Sequence, residues 1–133
     1  MQTVELVIAD IAWLITVDSG RRIIRDAAIA VQGGKIAAVG KSVEIAKSYT
    51  GKKTVSGRNA VATPGFVDCH LHSSFQLSRG LADEANAQSF LFDRMDPYEA
   101  ALDVDDVRVS ATLAATELLT HGVNCFIDPG NYN

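Results

Sequence analysis

Pro64-Gly65-Phe66-Val67-Asp68-Cys69-His70-Leu71-His72 is a short apolar run that finishes in two imidazoles. Read as a strand, it places Asp68, His70 and His72 on one face and Val67, Cys69 and Leu71 on the other, because successive side chains alternate. Both rings can then reach one ion. Neutral imidazole binds zinc, iron or nickel at roughly 2.0–2.2 Å and suits calcium or magnesium poorly. Two histidines can also be no more than polar groups at a strand end, and two ligands do not complete a site. Catalytic zinc typically takes three protein ligands and keeps a position open. The other histidine, His121, sits just before Gly122 at the end of a predicted helix, where an imidazole interacts with the carboxyl end of the dipole. It is read as a helix-end residue and not as the third ligand.

Downstream of His72, about thirty residues of mixed character lead to the clearest helix, Asp103 to Gly122. Asp103 is placed to cap it, Asp106 falls at the third position, and Val107, Ala111, Ala114 and Leu118 follow helical spacing on one face. Within the mixed stretch, Ala87 to Met95 predicts a short helix before Pro97 with its apolar face inward. Val123 to Asp128 reads as a second strand, so strand, helix and strand imply a parallel βαβ unit. Upstream, Val4 to Ile8 and Ile11 to Val17 are β-rich, and Ala27 to Val31 and Ile36 to Val39 flank a glycine hairpin turn at Gly33-Gly34. Val43 to Tyr49 fits two helical turns, and Gly51 to Gly57 carries turn residues. The expected class is α/β, with residues 1–60 forming part of a small sheet-rich domain and residues 61–133 starting a second. Neither pattern closes into a complete fold, so the sequence reads as an amino-terminal piece, its β-module needing a partner layer.

Hydrophobic residues make up 47% and charged residues 21%, a balance that supports a core and argues against disorder. A net charge of −4 gives no basic footprint for nucleic acid or an anionic membrane surface. No basic residue precedes Arg21, and Glu5 and Asp10 interrupt the first apolar stretch, so neither a signal peptide nor a membrane span is expected and the cytoplasm is the default compartment. Cys69 and Cys125 each fall in a strand expected to be buried, which favours packing over a disulfide or redox role.

The Pro-Gly-Phe-Val-Asp-x-His-x-His run, the hairpin module before it and the helix ending Glu117-Leu118-Leu119-Thr120-His121-Gly122-Val123 together resemble the start of the amidohydrolase superfamily. That resemblance covers essentially the whole sequence. It implies a small β-sandwich built from both chain ends, leading into a (β/α)8 TIM barrel of which only the first strands are present. His70 and His72 would be metal ligands at the carboxyl end of barrel strand one, where TIM-barrel active sites lie. Asp68 could orient a ligand, and Asp128, ending barrel strand two, could do the same or face the pocket. The remaining ligands and the catalytic acid and base would come from later strands.

The long interval after His72, with its Arg79-Gly80-Leu81-Ala82-Asp83 run, is similar to aminohydrolases of adenosine derivatives, guanine and triazines. The implied reaction is hydrolytic deamination of a nitrogen heterocycle by water activated on one divalent ion, zinc foremost and iron second. Phe75, Phe90 and Phe92 offer faces for a flat ring or pack the loop down. Gln76 could bond a heterocycle edge, and Arg79 could hold a substrate group or anchor the loop. The resemblance also implies a homo-oligomer, or association with the complementary remainder of the barrel. Two alternatives stay open: a cyclic-amide or carbamate hydrolase of the same superfamily, and a catalytically incompetent fragment.

Overall fold

The structure, a computed structural model, describes residues 1–130 and divides into two compact units, residues 1–64 and residues 65 onward. The first unit is built around strand β1 (Gln2–Ile15). Strands β2 (Ile23–Gln32) and β3 (Lys35–Lys41) continue from it as an antiparallel meander. Gly33 and Gly34 turn the β2–β3 hairpin with φ of 59° and 69°, a pair of left-handed residues that matches the twist of the flanking strands. Helix α1 (Ser42–Ser48) then crosses back, so that β4 (Tyr49–Ser56) and the short β5 (Val61–Ala62) both pair with β1 in parallel. The sheet order is β3-β2-β1-β4, with β5 on the remaining length of β1.

The two predicted strands at the amino terminus are one. A register shift between Ile8 and Ile11 bends it, with Asp10 at φ 56°. The Asp10 N–H that the bulge frees from the ladder donates to Ser42 Oγ (3.2 Å), and that hydroxyl donates onward to Ala27 O (2.8 Å). Val4, Val7, Ala28, Ala30 and Ile45 form one buried cluster, and Ile11, Leu14 and Ala27 a second. The segment Gly51 to Gly57, read as turns, is in fact mostly strand β4. Gly51 is there because a Cβ would come within 2.9 Å of the Val7 backbone nitrogen, so close strand approach and not chain reversal selects glycine.

The second unit contains β6 (Phe66–Asp68), a 3-10 turn (Ser73–Ser78), α2 (Ala87–Ser89), a π-helical stretch (Phe90–Met95), α3 (Asp96–Ala101), α4 (Val104–Thr120) and β7 (Val123–Phe126). Strands β6 and β7 are parallel neighbours, as a βαβ unit requires. Asp103 and Asp106 cap α4 reciprocally, each side chain accepting from the other's backbone N–H (2.9 and 3.1 Å). At its other end Gly122 adopts φ 80°. The inward face is Val107, Ser110, Ala111, Ala114 and Leu118, with Ser110 and Ala114 fully buried.

Three expectations fail in this unit. The helix from Ala87 does not stop before Pro97 but runs through the π-helical stretch into α3, with Pro97 in the first turn of that segment. Its apolar residues do not face inward either: Phe90, Leu91 and Phe92 are exposed and only Met95 is buried. Cys69 and Cys125 are likewise exposed and unbridged, since β6 and β7 form a two-stranded sheet whose faces are largely open. No helix among the described residues is long and apolar enough to cross a membrane.

Candidate metal centre

The regular strand β6 ends at Asp68, four residues short of the predicted end. The Asp68 carboxylate accepts from the His70 N–H (3.0 Å), which takes that amide off the ladder. Backbone pairing resumes beyond it: Ile127 N–H donates to Asp68 O (2.9 Å) and Leu71 N–H donates to Ile127 O (3.1 Å). The chain through the two histidines is therefore held extended along the end of β7.

This geometry brings His70 Nε2 and His72 Nε2 to 3.3 Å, with the rings edge-on at 64°. Two nitrogens bound at about 2.0–2.1 Å to one tetrahedral ion sit about 3.3–3.4 Å apart. The donor pair thus already has the spacing a zinc-like ion needs. Among the described residues no group of three or more His, Cys, Asp or Glu side chains is placed to hold an ion.

Around His72 the contacts are dense. Phe75, in the 3-10 turn, lies parallel to the imidazole with centroids 5.0 Å apart, and Tyr98 of α3 meets Phe75 edge-on at 6.0 Å. Burial, and behind it the charge of Asp106, push the Tyr98 phenol up from its ordinary value. The next residue, Ser73, is tied to β7, its N–H (3.2 Å) and hydroxyl both donating to Asp128 Oδ2. Burial raises the Asp128 carboxyl, but the Ser73 hydroxyl, the Gly130 and Ser73 amides and the nearby His72 outweigh it, leaving the group below the usual carboxylate range.

Ser110 ties the same turn to α4: its hydroxyl donates to Ser73 O (2.8 Å) and accepts from Gln76 N–H (2.9 Å). The Gln76 side chain donates to His72 O (3.2 Å) and accepts from Arg79 (2.9 Å). Arg79 also forks onto both Glu117 oxygens, with Nη1 at 2.8 Å from Oε1. The hydrogen bond from Arg79 holds the Glu117 carboxyl low, and Glu117 in turn raises Arg79.

The structure thus gathers His70, His72, Asp68, Phe75, Gln76 and Asp128 near one strand end, while Phe90 and Phe92 stand exposed elsewhere on the helical stretch. His121 caps α4, its Nδ1 2.8 Å from Glu117 O, where an N–H at that nitrogen donates to the carbonyl. Sequence reasoning missed Ser110, Glu117 and Tyr98. The signal for Ser110 was a hydroxyl on the inward face of α4 between Val107 and Ala111; a buried polar group of that kind needs partners.

No protein-family model matches the chain. A 5-methylthioadenosine/S-adenosylhomocysteine deaminase of Nitratidesulfovibrio vulgaris strain Hildenborough is 35% identical over 117 residues, which are 88% of this chain and 26% of that protein. One from Pelotomaculum thermopropionicum is 29% identical, over 88% of the chain and 27% of the relative. The chain spans about a quarter of the length of these curated relatives. Among solved structures, an adenosine deaminase from Xanthomonas campestris with bound zinc superposes with a TM-score of 0.89 at 29% identity, covering 98% of this chain and 29% of that one. Atrazine chlorohydrolase from Arthrobacter aurescens TC1 with zinc gives 0.78 at 25% identity, covering 92% and 28%.

Proposed function

The chain belongs to the amidohydrolase superfamily, and from that premise we propose that it forms the opening part of a metal-dependent aminohydrolase that deaminates an adenosine-like or related nitrogen heterocycle. The observation that carries this reading is the 3.3 Å approach of His70 Nε2 to His72 Nε2 at the end of β6. We assign β6, α4 and β7 to the start of a (β/α)8 barrel and residues 1–64 to part of a β-sandwich, with further strands and ligands supplied by sequence matching the rest of the relatives. Zinc suits the two imidazoles and is named in the structures this chain resembles. When bound, the ion would lower the pKa of water toward neutrality for attack on an amidine-like ring carbon, ammonia leaving.

This chain's own part is to hold and orient. His70 and His72 supply two neutral imidazoles. Asp68 fixes the His70 amide, and Asp128, through Ser73, fixes the backbone after His72. Gln76 and Arg79 are engaged with His72 O and Glu117, so their role here is to anchor the loop over the strand end. We place the protein in the cytoplasm as a homo-oligomer acting on a small molecule.

The full-length protein carrying this sequence should hold about one zinc per chain and release ammonia from 5-methylthioadenosine or a related adenosine derivative. His70→Ala and His72→Ala should each lose most of the metal and all turnover. Full occupancy and activity in either variant would remove the central assignment. Ammonia-free opening of a cyclic amide would transfer it to the cyclic-amide branch of the superfamily.

A further inference from the structure

A ligating imidazole is normally steered by a hydrogen bond at its second ring nitrogen, made to a carboxylate, a carbonyl or water. Among the described residues His72 lacks that support: its Nδ1 is buried without a partner there, so no hydrogen bond from them fixes the ring about its soft terminal torsion. The ring face meets Phe75 instead, with planes only 15° apart. Phe75 is delivered by the 3-10 turn that starts at Ser73: its N–H donates to His72 O (3.1 Å), folding the chain back so that residue 75 stands beside residue 72. Behind it Tyr98 packs edge-on at 80°. The Tyr98 hydroxyl is also without a partner among the described residues, so what Tyr98 contributes to this contact is its ring.

We infer that Phe75 is a positioning residue for His72, backed by Tyr98, and that this aromatic stack fixes the imidazole in place of the missing Nδ1 hydrogen bond. The inference rests on the ligand assignment of His72 above. It moves Phe75 from a face offered to substrate to a brace behind the metal site, since one ring face is spent on His72 and Tyr98 closes a further side. Offset and edge-on aromatic pairs at such distances are net attractive beyond the area they bury, which gives the brace a definite orientation.

The test uses the full-length protein, apo and reloaded, with zinc affinity read by competition against a chromogenic chelator and folding checked by thermal melting. Residues that orient a metal ligand typically account for about 10–100-fold in affinity. Phe75→Leu, which keeps apolar bulk without the ring, should weaken zinc at least about tenfold. At saturating zinc it should leave KM for 5-methylthioadenosine close to wild type. Phe75→Tyr should restore affinity. Tyr98→Leu should shift affinity in the same direction by less, and Tyr98→Phe should not shift it.

Wild-type zinc affinity with a raised KM in Phe75→Leu would overturn the inference and return Phe75 to the substrate. Should Phe75→Leu fail to fold, Tyr98→Leu decides, and unchanged affinity there overturns it equally. His72→Ala separates the two levels. If that variant keeps its zinc, the ligand assignment fails; if it loses zinc while both leucine variants keep it, only the positioning role fails.

Discussion

Ser110 shows how much one hydroxyl can organise. Fully buried on α4, it satisfies a carbonyl and an amide on either side of the turn after His72. Ser110→Ala leaves two part-buried groups without their partner, a loss of about 1 kcal/mol. Urea unfolding should show a lower midpoint at unchanged slope, and an unmoved midpoint would show that the clasp carries no stability. That the two imidazoles meet was legible in the sequence, because strand alternation puts residues 70 and 72 on one face. What holds them was not. The partners of the loop come from residue 98 on α3, 110 and 117 on α4 and 128 after β7, and contacts across such separations have no local signature.

At the scale of elements, the clamp between the loop and α4 is Arg79 on Glu117, a solvent-exposed pair. The Glu117 carboxyl is depressed in the folded state. Its contribution is therefore fully present above the ordinary glutamate value of about 4.3 and is lost as pH falls through the lower folded value. Hydrogen exchange of residues 73–81, corrected for the intrinsic pH dependence of amide exchange, should stay flat from neutrality down to about pH 4.5 and rise below it. Salt should blunt that rise, and Glu117→Gln should show the faster exchange already at neutral pH. An acid response identical in the Gln variant would detach the loop from this pair.

Among the elements, α4 was the most legible, because its cap, inward stripe and terminal glycine all pointed one way. Strand β4 was the least, since Gly51 and Gly57 look like punctuation until β1 is laid against them. Strand β1 misleads for a related reason. Its buried positions, Val4, Val7, Ile11 and Leu14, do not keep a period of two, and the register shift between Ile8 and Ile11 was invisible beforehand.

For the molecule as a whole, the two units differ in how well they cover their apolar surface. In the second, Phe66, Val67 and Ile127 are 61%, 56% and 57% exposed around the β6–β7 pair. Open strand edges and apolar faces of that kind invite association. The 133-residue chain expressed alone should therefore bind a hydrophobic dye and self-associate, and a monodisperse, dye-silent monomer would contradict this. The α/β class could be anticipated from the change of pattern after the hairpins, whereas the pairing of β5 with β1 could not, because two residues carry no periodicity. Strand β1 also has a consequence in time. It is synthesised before its partners: β2 begins only eight residues after it ends, but β4 is not complete until Ser56. At roughly 5–20 residues per second, the parallel edge of β1 waits about two to eight seconds for its neighbour. Over that interval β1 stays half-paired, and chaperone capture during synthesis would fall on its parallel edge.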